Sequence, residues 1–235
     1  MNLSAQVNQL QGKLVDLLFP SHCLGCGKEG SFLCILCRRA LPRVLQPLCP
    51  KCGRPLIQED RCPACLKYRW EIHGIRSVFL FQGTVQQAVH QFKYNNCRAL
   101  ASPLAELLAE ELERKPLPAQ VIVPVPLHPR RLRERGYNQS GLLAKELSRL
   151  TGLPLIGDSL LRIKNTSAQA RTANAEARRN NVRGVFFCRD GQLKERHVLL
   201  VDDVCTTGAT LDSCAVALNR AGASSVWGLT LAREG

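Results

Sequence analysis

One stretch of sequence decides the fold of the C-terminal part of this chain: VLLVDDVCTTGAT, residues 198–210. The apolar run Val198–Val201 predicts a buried strand, and two carboxylates, Asp202 and Asp203, follow it. The small polar residues TTGAT at positions 206–210 then predict a tight turn that leads into a helix. A strand joined to a helix through such a turn is typical of an α/β protein.

Patterns on either side of this stretch indicate the same fold. Further apolar runs predict strands at Ser77–Phe81, Val121–Val125 and Val226–Leu231. Amphipathic periodicity predicts helices at Val85–Asn95, Ala99–Arg114, Ser140–Leu150 and Ala209–Ala221. Because strands alternate with helices, we expect a parallel sheet covered on both faces, in a domain that spans residues 71–235.

The turn after the buried strand has the chemistry of a sugar-phosphate site. At the carboxyl end of a parallel strand it offers backbone N–H groups, threonine hydroxyls and a helix N-terminus to a phosphate, and Gly208 permits close approach. Asp202 and Asp203 can accept hydrogen bonds from adjacent ribose hydroxyls or hold a hydrated Mg²⁺. Cys205 lies inside the turn, where N–H groups can lower the pKa of a thiol, but no paired histidine is evident and we propose no nucleophile.

The first part of the chain is dominated by cysteine. Eight of the twelve cysteines form four Cys-x-x-Cys pairs, which are Cys23 with Cys26, Cys34 with Cys37, Cys49 with Cys52, and Cys62 with Cys65. Two such knuckles complete a tetrahedral zinc site, so the spacing predicts two structural zinc ions. Disulfides are the competing interpretation, and a reducing cytosol disfavours them. Seven residues between the first two pairs and nine between the last two suit one zinc per ribbon, although interleaved pairing stays open.

Composition and charge restrict the class of protein. Apolar residues at helical intervals over the first eighteen positions are interrupted by polar ones, so we expect a helix there and no signal peptide. With the zinc ribbons, this helix makes up a first domain of residues 1–70. No stretch is apolar enough to span a membrane, and we expect a cytoplasmic protein. The net charge of +13 favours anionic partners such as phosphates or nucleic acid.

Residues 198–210 resemble the ribose-phosphate motif of type I phosphoribosyltransferases, in which paired acids face the ribose diol and the threonine turn surrounds the 5-phosphate. Nearly the whole chain resembles the ComF family of competence-associated proteins, also called GntX-like proteins, which join a double zinc ribbon to a phosphoribosyltransferase domain. The segments that carry this resemblance are Phe92-Lys93-Tyr94, Val123-Pro124-Val125-Pro126, the run from Arg133 to Gln139, and the separated Gln169, Arg178, Asn181 and Phe186.

The resemblance implies a type I phosphoribosyltransferase fold that binds 5-phosphoribosyl pyrophosphate with Mg²⁺. It makes Asp202 and Asp203 the catalytic acids and the following residues the ribose-phosphate site, namely Val204, Cys205, Thr206, Thr207, Gly208, Ala209 and Thr210. The turn from Pro126 to Pro129 becomes the pyrophosphate loop, with Leu127, His128 and Arg133 beside the departing diphosphate. The basic stretch from Lys164 to Arg183 becomes a flap over the site.

Three hypotheses for function follow. The chain is a phosphoribosyltransferase whose acceptor the sequence does not identify, or a module that binds the ribose substrate as a regulator or adaptor. Alternatively, it is a non-catalytic zinc-ribbon adaptor that binds single-stranded DNA. The family's association with DNA uptake, natural transformation and the use of external DNA makes single-stranded DNA and proteins of the competence machinery the expected partners.

Overall fold

The computed structural model describes residues 21–56, 62–165 and 184–234. Its main sheet has four parallel strands, which in chain order are β1 (Gly74–Leu80), β2 (Val121–Pro124), β5 (His197–Cys205) and β6 (Ser225–Arg233). Their order in the sheet is β1-β6-β5-β2. Two short strands, β3 (Leu160–Arg162) and β4 (Phe186–Cys188), form a separate antiparallel pair. The expected parallel α/β sheet, preceded by a cysteine-rich ribbon region, is confirmed.

Seven α-helices lie within the described residues. In chain order they are α1 (Ile35–Arg39), α2 (Pro63–Lys67), α3 (Gly83–Tyr94), α4 (Ala101–Arg114), α5 (Pro129–Arg135), α6 (Gln139–Thr151) and α7 (Ala209–Arg220). A single turn of 3-10 helix at Arg98–Leu100 precedes α4. No described helix is both long enough and apolar enough to cross a membrane.

Two apolar cores cover the two faces of the sheet. The larger core packs α3, α4 and α6 against the strands and includes Leu33 and Leu41 from the first ribbon. The other core contains α7, the β3–β4 hairpin and all four cysteines from Cys49 to Cys65. The ribbon region therefore shares its cores with the sheet, and the division of the chain at residue 70 stays a prediction.

Strand β5 is longer than its apolar run predicts. The apolar residues end at Val201, yet pairing with β6 continues through Asp202 opposite Thr230 and Cys205 opposite Arg233. The two carboxylates thus lie inside the strand and not in the turn after it. Their backbone is held by the sheet ladder, which fixes the direction of both side chains.

Two elements were not predicted from sequence. The segment before Tyr137, interpreted as an arginine-rich turn, contains the seven-residue helix α5. Pro129 occupies its first turn, the His128 side chain accepts a hydrogen bond from the N–H of Arg130, and Gly136 ends it in the left-handed conformation. The other is the β3–β4 hairpin, whose strands of three residues are too short to show a period of two.

Some predictions fall on other parts of the chain. The N-terminal helix, most of the flap between Lys164 and Arg183, and Gln169, Arg178 and Asn181 lie outside the described residues.

Candidate functional site

The two carboxylates of β5 lie at the carboxyl end of the sheet, and each is held by a different helix. The Ser140 hydroxyl, in the first turn of α6, donates to Asp202 Oδ1 at 2.7 Å, and the backbone N–H of Asp203 donates to the same oxygen at 3.0 Å. Burial raises the pKa of Asp202 to about 7, and the neighbouring Asp203 adds to the rise, while Ser140 and Lys93 oppose it.

Asp203 is paired with a lysine from α3. Lys93 Nζ lies 2.9 Å from Asp203 Oδ2, and the Asp203 side chain is almost completely buried. The sequence motif Phe92-Lys93-Tyr94 contained this lysine, but nothing in the sequence indicated which residue it contacts. The Asp–Asp pair is thus partly neutralised in the free protein.

The turn after β5 is packed tightly against the protein interior. Gly208 has a φ of +81°, and a Cβ atom there would lie 2.9 Å from Ile75 Cδ1 and 3.0 Å from the Trp70 ring. Glycine is therefore required for both backbone conformation and space. The twelve-residue helix α7 begins at the next residue, Ala209, so the positive N-terminal end of the helix lies at this turn. The geometry suits an anion.

Cys205 is buried at the base of the turn. Burial raises the pKa of its thiol to about 12. The lowering considered from sequence is therefore wrong, because exclusion of water outweighs the nearby positive charge of Arg233. The thiol is a buried packing group.

A second polar turn follows β2 and is tied to the start of α6. Pro126, Leu127 and His128 link β2 to α5, and Arg133 is exposed on that helix. Asn138 links this turn to α6, because its Nδ2 donates to the Val125 carbonyl at 3.1 Å and its Oδ1 accepts from the Ser140 N–H at 3.1 Å. Asn138 thus caps the N-terminus of α6.

Arg162 adds a positive charge that sequence reasoning missed. It ends β3, where burial and the nearby Arg131 lower the pKa of its guanidinium, while Asp202 acts in the opposite direction. These effects place Arg162 within electrostatic reach of both the carboxylate pair and the start of α5. Neither hydrophobic periodicity nor a sequence motif indicated Arg162, because the β3–β4 pair that positions it was not predicted.

The eight cysteines form two separate groups of four. Cys23, Cys26, Cys34 and Cys37 form one group, and Cys49, Cys52, Cys62 and Cys65 form the other. Within each group the sulfur atoms lie within 4.8 Å of one another, which fits four thiolates around one ion. The ligands thus pair in sequence order and not in the interleaved order. In the second group, the hydrogen bond from Cys65 lowers the pKa of Cys52 to about 5 against the effect of burial.

Comparison with known proteins also identifies two zinc ribbons in the region that holds the two cysteine groups. The family model for a double zinc ribbon domain matches residues 14–66. Competence protein F of Haemophilus influenzae is 33% identical over 227 residues, which cover 90% of this chain and 96% of that protein. The chain belongs to the competence protein F, or ComF, family. Another ComF relative, the DNA utilization protein YhgH of Escherichia coli K12, is 33% identical over 200 residues, covering 83% of this chain and 87% of its own.

Two solved structures also match this ComF chain. One is the glutamine phosphoribosylpyrophosphate amidotransferase from B. subtilis complexed with ADP and GMP, with 19% identity and a TM-score of 0.42. The match covers 60% of this chain and 30% of that one, so the ComF chain spans less than a third of the amidotransferase. The other is TT1426 from Thermus thermophilus, with 19% identity, a TM-score of 0.35, and coverage of 55% of this chain and 72% of that one.

Proposed function

We propose that this ComF-family chain binds 5-phosphoribosyl pyrophosphate with Mg²⁺ at the carboxyl end of β5, as a phosphoribosyltransferase-like protein of DNA uptake or utilization. One observation carries the proposal: two buried carboxylates, held by Ser140 and Lys93, stand directly before a glycine turn at a helix N-terminus. The names of competence protein F and of the DNA utilization protein YhgH support the biological role.

Each part of the ligand has a matching group in this proposal. Asp202 and Asp203 accept hydrogen bonds from the ribose hydroxyls, and the turn from Thr206 to Thr210 donates N–H and hydroxyl groups to the 5-phosphate. The diphosphate extends toward the turn at Pro126, Leu127 and His128, where Arg133 supplies positive charge.

Carboxylate oxygens are hard ligands of the type that Mg²⁺ prefers, so Asp202 and Asp203 fit this ion as well. Bound Mg²⁺ would neutralise the departing diphosphate. The remaining task of the protein is to orient the ribose and exclude water, which explains why a pair of acids and a turn suffice without a dedicated base.

Calorimetric titration of the zinc-loaded protein with 5-phosphoribosyl pyrophosphate and Mg²⁺ tests this proposal. The double variant Asp202→Asn/Asp203→Asn is expected to lose binding and keep its full zinc content. Asp158→Asn, which alters an exposed carboxylate paired with Arg189, serves as the matched control and should bind as the wild type does. Absence of binding by the wild-type protein would overturn the proposal.

A second candidate function is binding of single-stranded DNA, and an exposed aromatic group near the site favours it. The Arg135 guanidinium lies 5.4 Å from the centre of the Tyr94 ring, and the His90 ring is 5.3 Å from that ring. Tyr94 is 55% exposed, so its ring is accessible from solvent to a nucleic-acid base. Positive charge beside an open aromatic ring is the combination that sequence-tolerant single-strand binding uses.

Fluorescence anisotropy with a labelled oligonucleotide tests this second function. Tyr94→Ala is expected to weaken binding about tenfold, since stacking on one base contributes roughly 1–3 kcal/mol. Phe187→Ala, at 54% exposure on β4, removes an equally exposed ring on another element and should change little. Binding that does not weaken as salt rises would contradict a basic, phosphate-directed surface.

A further inference from the structure

Arg233 is a permanent cation in the protein interior. It ends β6 and is 1% exposed. Its Nη1 donates to the Cys52 carbonyl at 2.6 Å, while its Nε has no hydrogen-bond partner. Across residues 21–56, 62–165 and 184–234, no carboxylate oxygen lies within 4.0 Å of it. A buried cation without a counter-charge is strongly unfavourable, so an anionic group must compensate it.

The second cysteine group supplies that anion. Four thiolates around one divalent ion carry a net charge of −2, and the carbonyl that Arg233 contacts belongs to one of the four ligands. All four cysteines are buried in one core. The first group differs, because its nearby arginine, Arg38, binds the carboxylates of Glu106 and Glu110.

At its other side, Arg233 touches the base of the turn after β5. It lies opposite Cys205 in the β5–β6 ladder, and the N–H of Glu234 donates to the Cys205 carbonyl at 3.0 Å. A second line of contacts runs through the knuckle, where a Cβ on Gly53 would lie 2.4 Å from the Ile75 carbonyl and 3.5 Å from Arg233 Nη1. Ile75 in turn packs against Gly208. The knuckle and the turn are therefore in continuous contact.

We propose that Arg233 is the counter-cation of a tetrathiolate zinc centre at Cys49, Cys52, Cys62 and Cys65, and that it ties occupancy of this centre to the shape of the turn at residues 204–210. Arg233 is a positioning residue in this scheme. Any effect of zinc occupancy on ligand binding rests on the proposed function of the turn. The effect of zinc occupancy on the shape of the turn does not.

Loss of the ion would release the four ligands from one another and remove the fixed tetrathiolate charge beside buried Arg233. The end of β6 must then admit water or move, and Cys205 moves with it because the two residues are ladder partners. Metal loss from the second centre would thereby loosen the turn. Metal loss from the first centre would not, since Arg38 keeps its own carboxylates.

Three single variants test this proposal: Arg233→Gln, the charge-conserving Arg233→Lys, and Arg38→Gln as the matched control at the first centre. Zinc release to a chromogenic chelator is expected to be about tenfold faster for one of two ions in Arg233→Gln, as is usual when an outer-shell partner of a metal ligand is lost. Arg233→Lys should restore slow release and a wild-type thiolate-to-metal charge-transfer band in the cobalt-substituted protein. Arg38→Gln should release the second-centre zinc at the wild-type rate.

Amide hydrogen exchange at residues 204–210 completes the test without any ribose ligand. Faster exchange there in Arg233→Gln, and not in Arg38→Gln, supports the coupling. Unchanged zinc release, or faster release with a fully protected turn, overturns it. If Arg233→Gln does not fold, wild-type protein stripped of zinc by a chelator replaces it. Loss of the ion from the second centre must then accelerate amide exchange at residues 204–210, and unchanged exchange there overturns the proposal. Failure of 5-phosphoribosyl pyrophosphate to bind would overturn the proposed function alone.

Discussion

The two cysteine groups have the same four ligands and the same knuckle spacing, but they lie in different surroundings. In the first group Cys26 is exposed and Cys34 and Cys37 are half-buried, whereas every ligand of the second group is buried. Ligand spacing therefore identifies a metal site but not its energetic role. That role depends on what the site packs against.

The two groups also attach to the sheet in different ways. The first ribbon docks through Leu33 and Leu41, which lie in the larger core, and through partly exposed ion pairs from Arg38 to Glu106 and Glu110 on α4. The second group forms part of the core beneath α7 and the turn after β5. Because all four of its ligands are buried, whereas three of the first group's ligands are not, the second group should matter more to the sheet.

The largest expected effect comes from removing one ligand of each group. Cys65→Ser should lower the melting temperature by about 10 °C or more, because loss of a structural metal costs many kcal/mol and opens the core. Cys26→Ser should lower it by only a few degrees and leave the circular dichroism of the sheet intact. Calorimetry and zinc analysis of both variants check this. Equal decreases in melting temperature would mean that the two groups contribute equally to stability.

The buried carboxylate Asp202 gives the next largest effect. An acid whose pKa is higher in the folded than in the unfolded chain favours folding at low pH, and this contribution is fully present below about pH 4 and lost as the pH rises toward 7. A rise from 3.8 to about 7 sets an upper limit of about 4 kcal/mol on the loss. Asp202→Asn should therefore be more stable than wild type at pH 8.

Denaturant unfolding at pH 5 and pH 8 measures that difference. The exposed variant Asp158→Asn should follow the wild-type pH dependence. If Asp202→Asn shows the same pH dependence as wild type, Asp202 is not the titrating group.

Gly208→Ala tests how tightly Ile75 and Trp70 pack against the turn after β5. A left-handed φ and contacts of 2.9–3.0 Å predict a loss of about 2–3 kcal/mol from backbone strain and overpacking. Gly191→Ala is the matched control, because a Cβ there would meet no atom within 4 Å. Thermal unfolding of both variants measures the loss of stability. If Gly208→Ala is as stable as Gly191→Ala, the turn after β5 can shift to accommodate a Cβ atom.

The smallest expected effect lies at the first ribbon. Arg38→Ala removes two partly exposed ion pairs and should cost about 1 kcal/mol. A double-mutant cycle with Glu106→Gln isolates the pair energy. A coupling energy well above 1 kcal/mol would reduce the expected difference between the two groups in their contribution to stability. The ion pairs would then bind the first ribbon strongly to α4.

Local patterns predicted the parts of the molecule that are local in sequence. The strand at Val198–Val201 follows from an unbroken apolar run, and the two cysteine groups follow from knuckle spacing. The contacts of Lys93 with Asp203 and of Ser140 with Asp202 join residues far apart in the chain, and no spacing rule reports them. Hydrophobic periodicity also cannot detect a three-residue strand, which is why Arg162 was missed.

The environment of a predicted residue was harder to obtain than its position. Cys205 ends β5 instead of lying inside the turn, and the direction of its pKa depends on burial that only the packed core shows. The burial of Arg233 was likewise invisible, since a single arginine at the end of an apolar strand looks like an exposed charge in sequence.

Both outer strands of the sheet are covered by irregular chain. Residues 42–44 lie along β1, where Val44 N–H donates to the Val78 carbonyl and Leu80 N–H to the Pro42 carbonyl, and Pro154 and Ile156 bond to Ile122 in β2 in the same way. Unpaired strand edges are templates for self-association. A fragment that begins at residue 71 would lose the cover of β1 and should form aggregates through that strand. The ribbon region thus protects the solubility of the sheet, apart from any metal it holds.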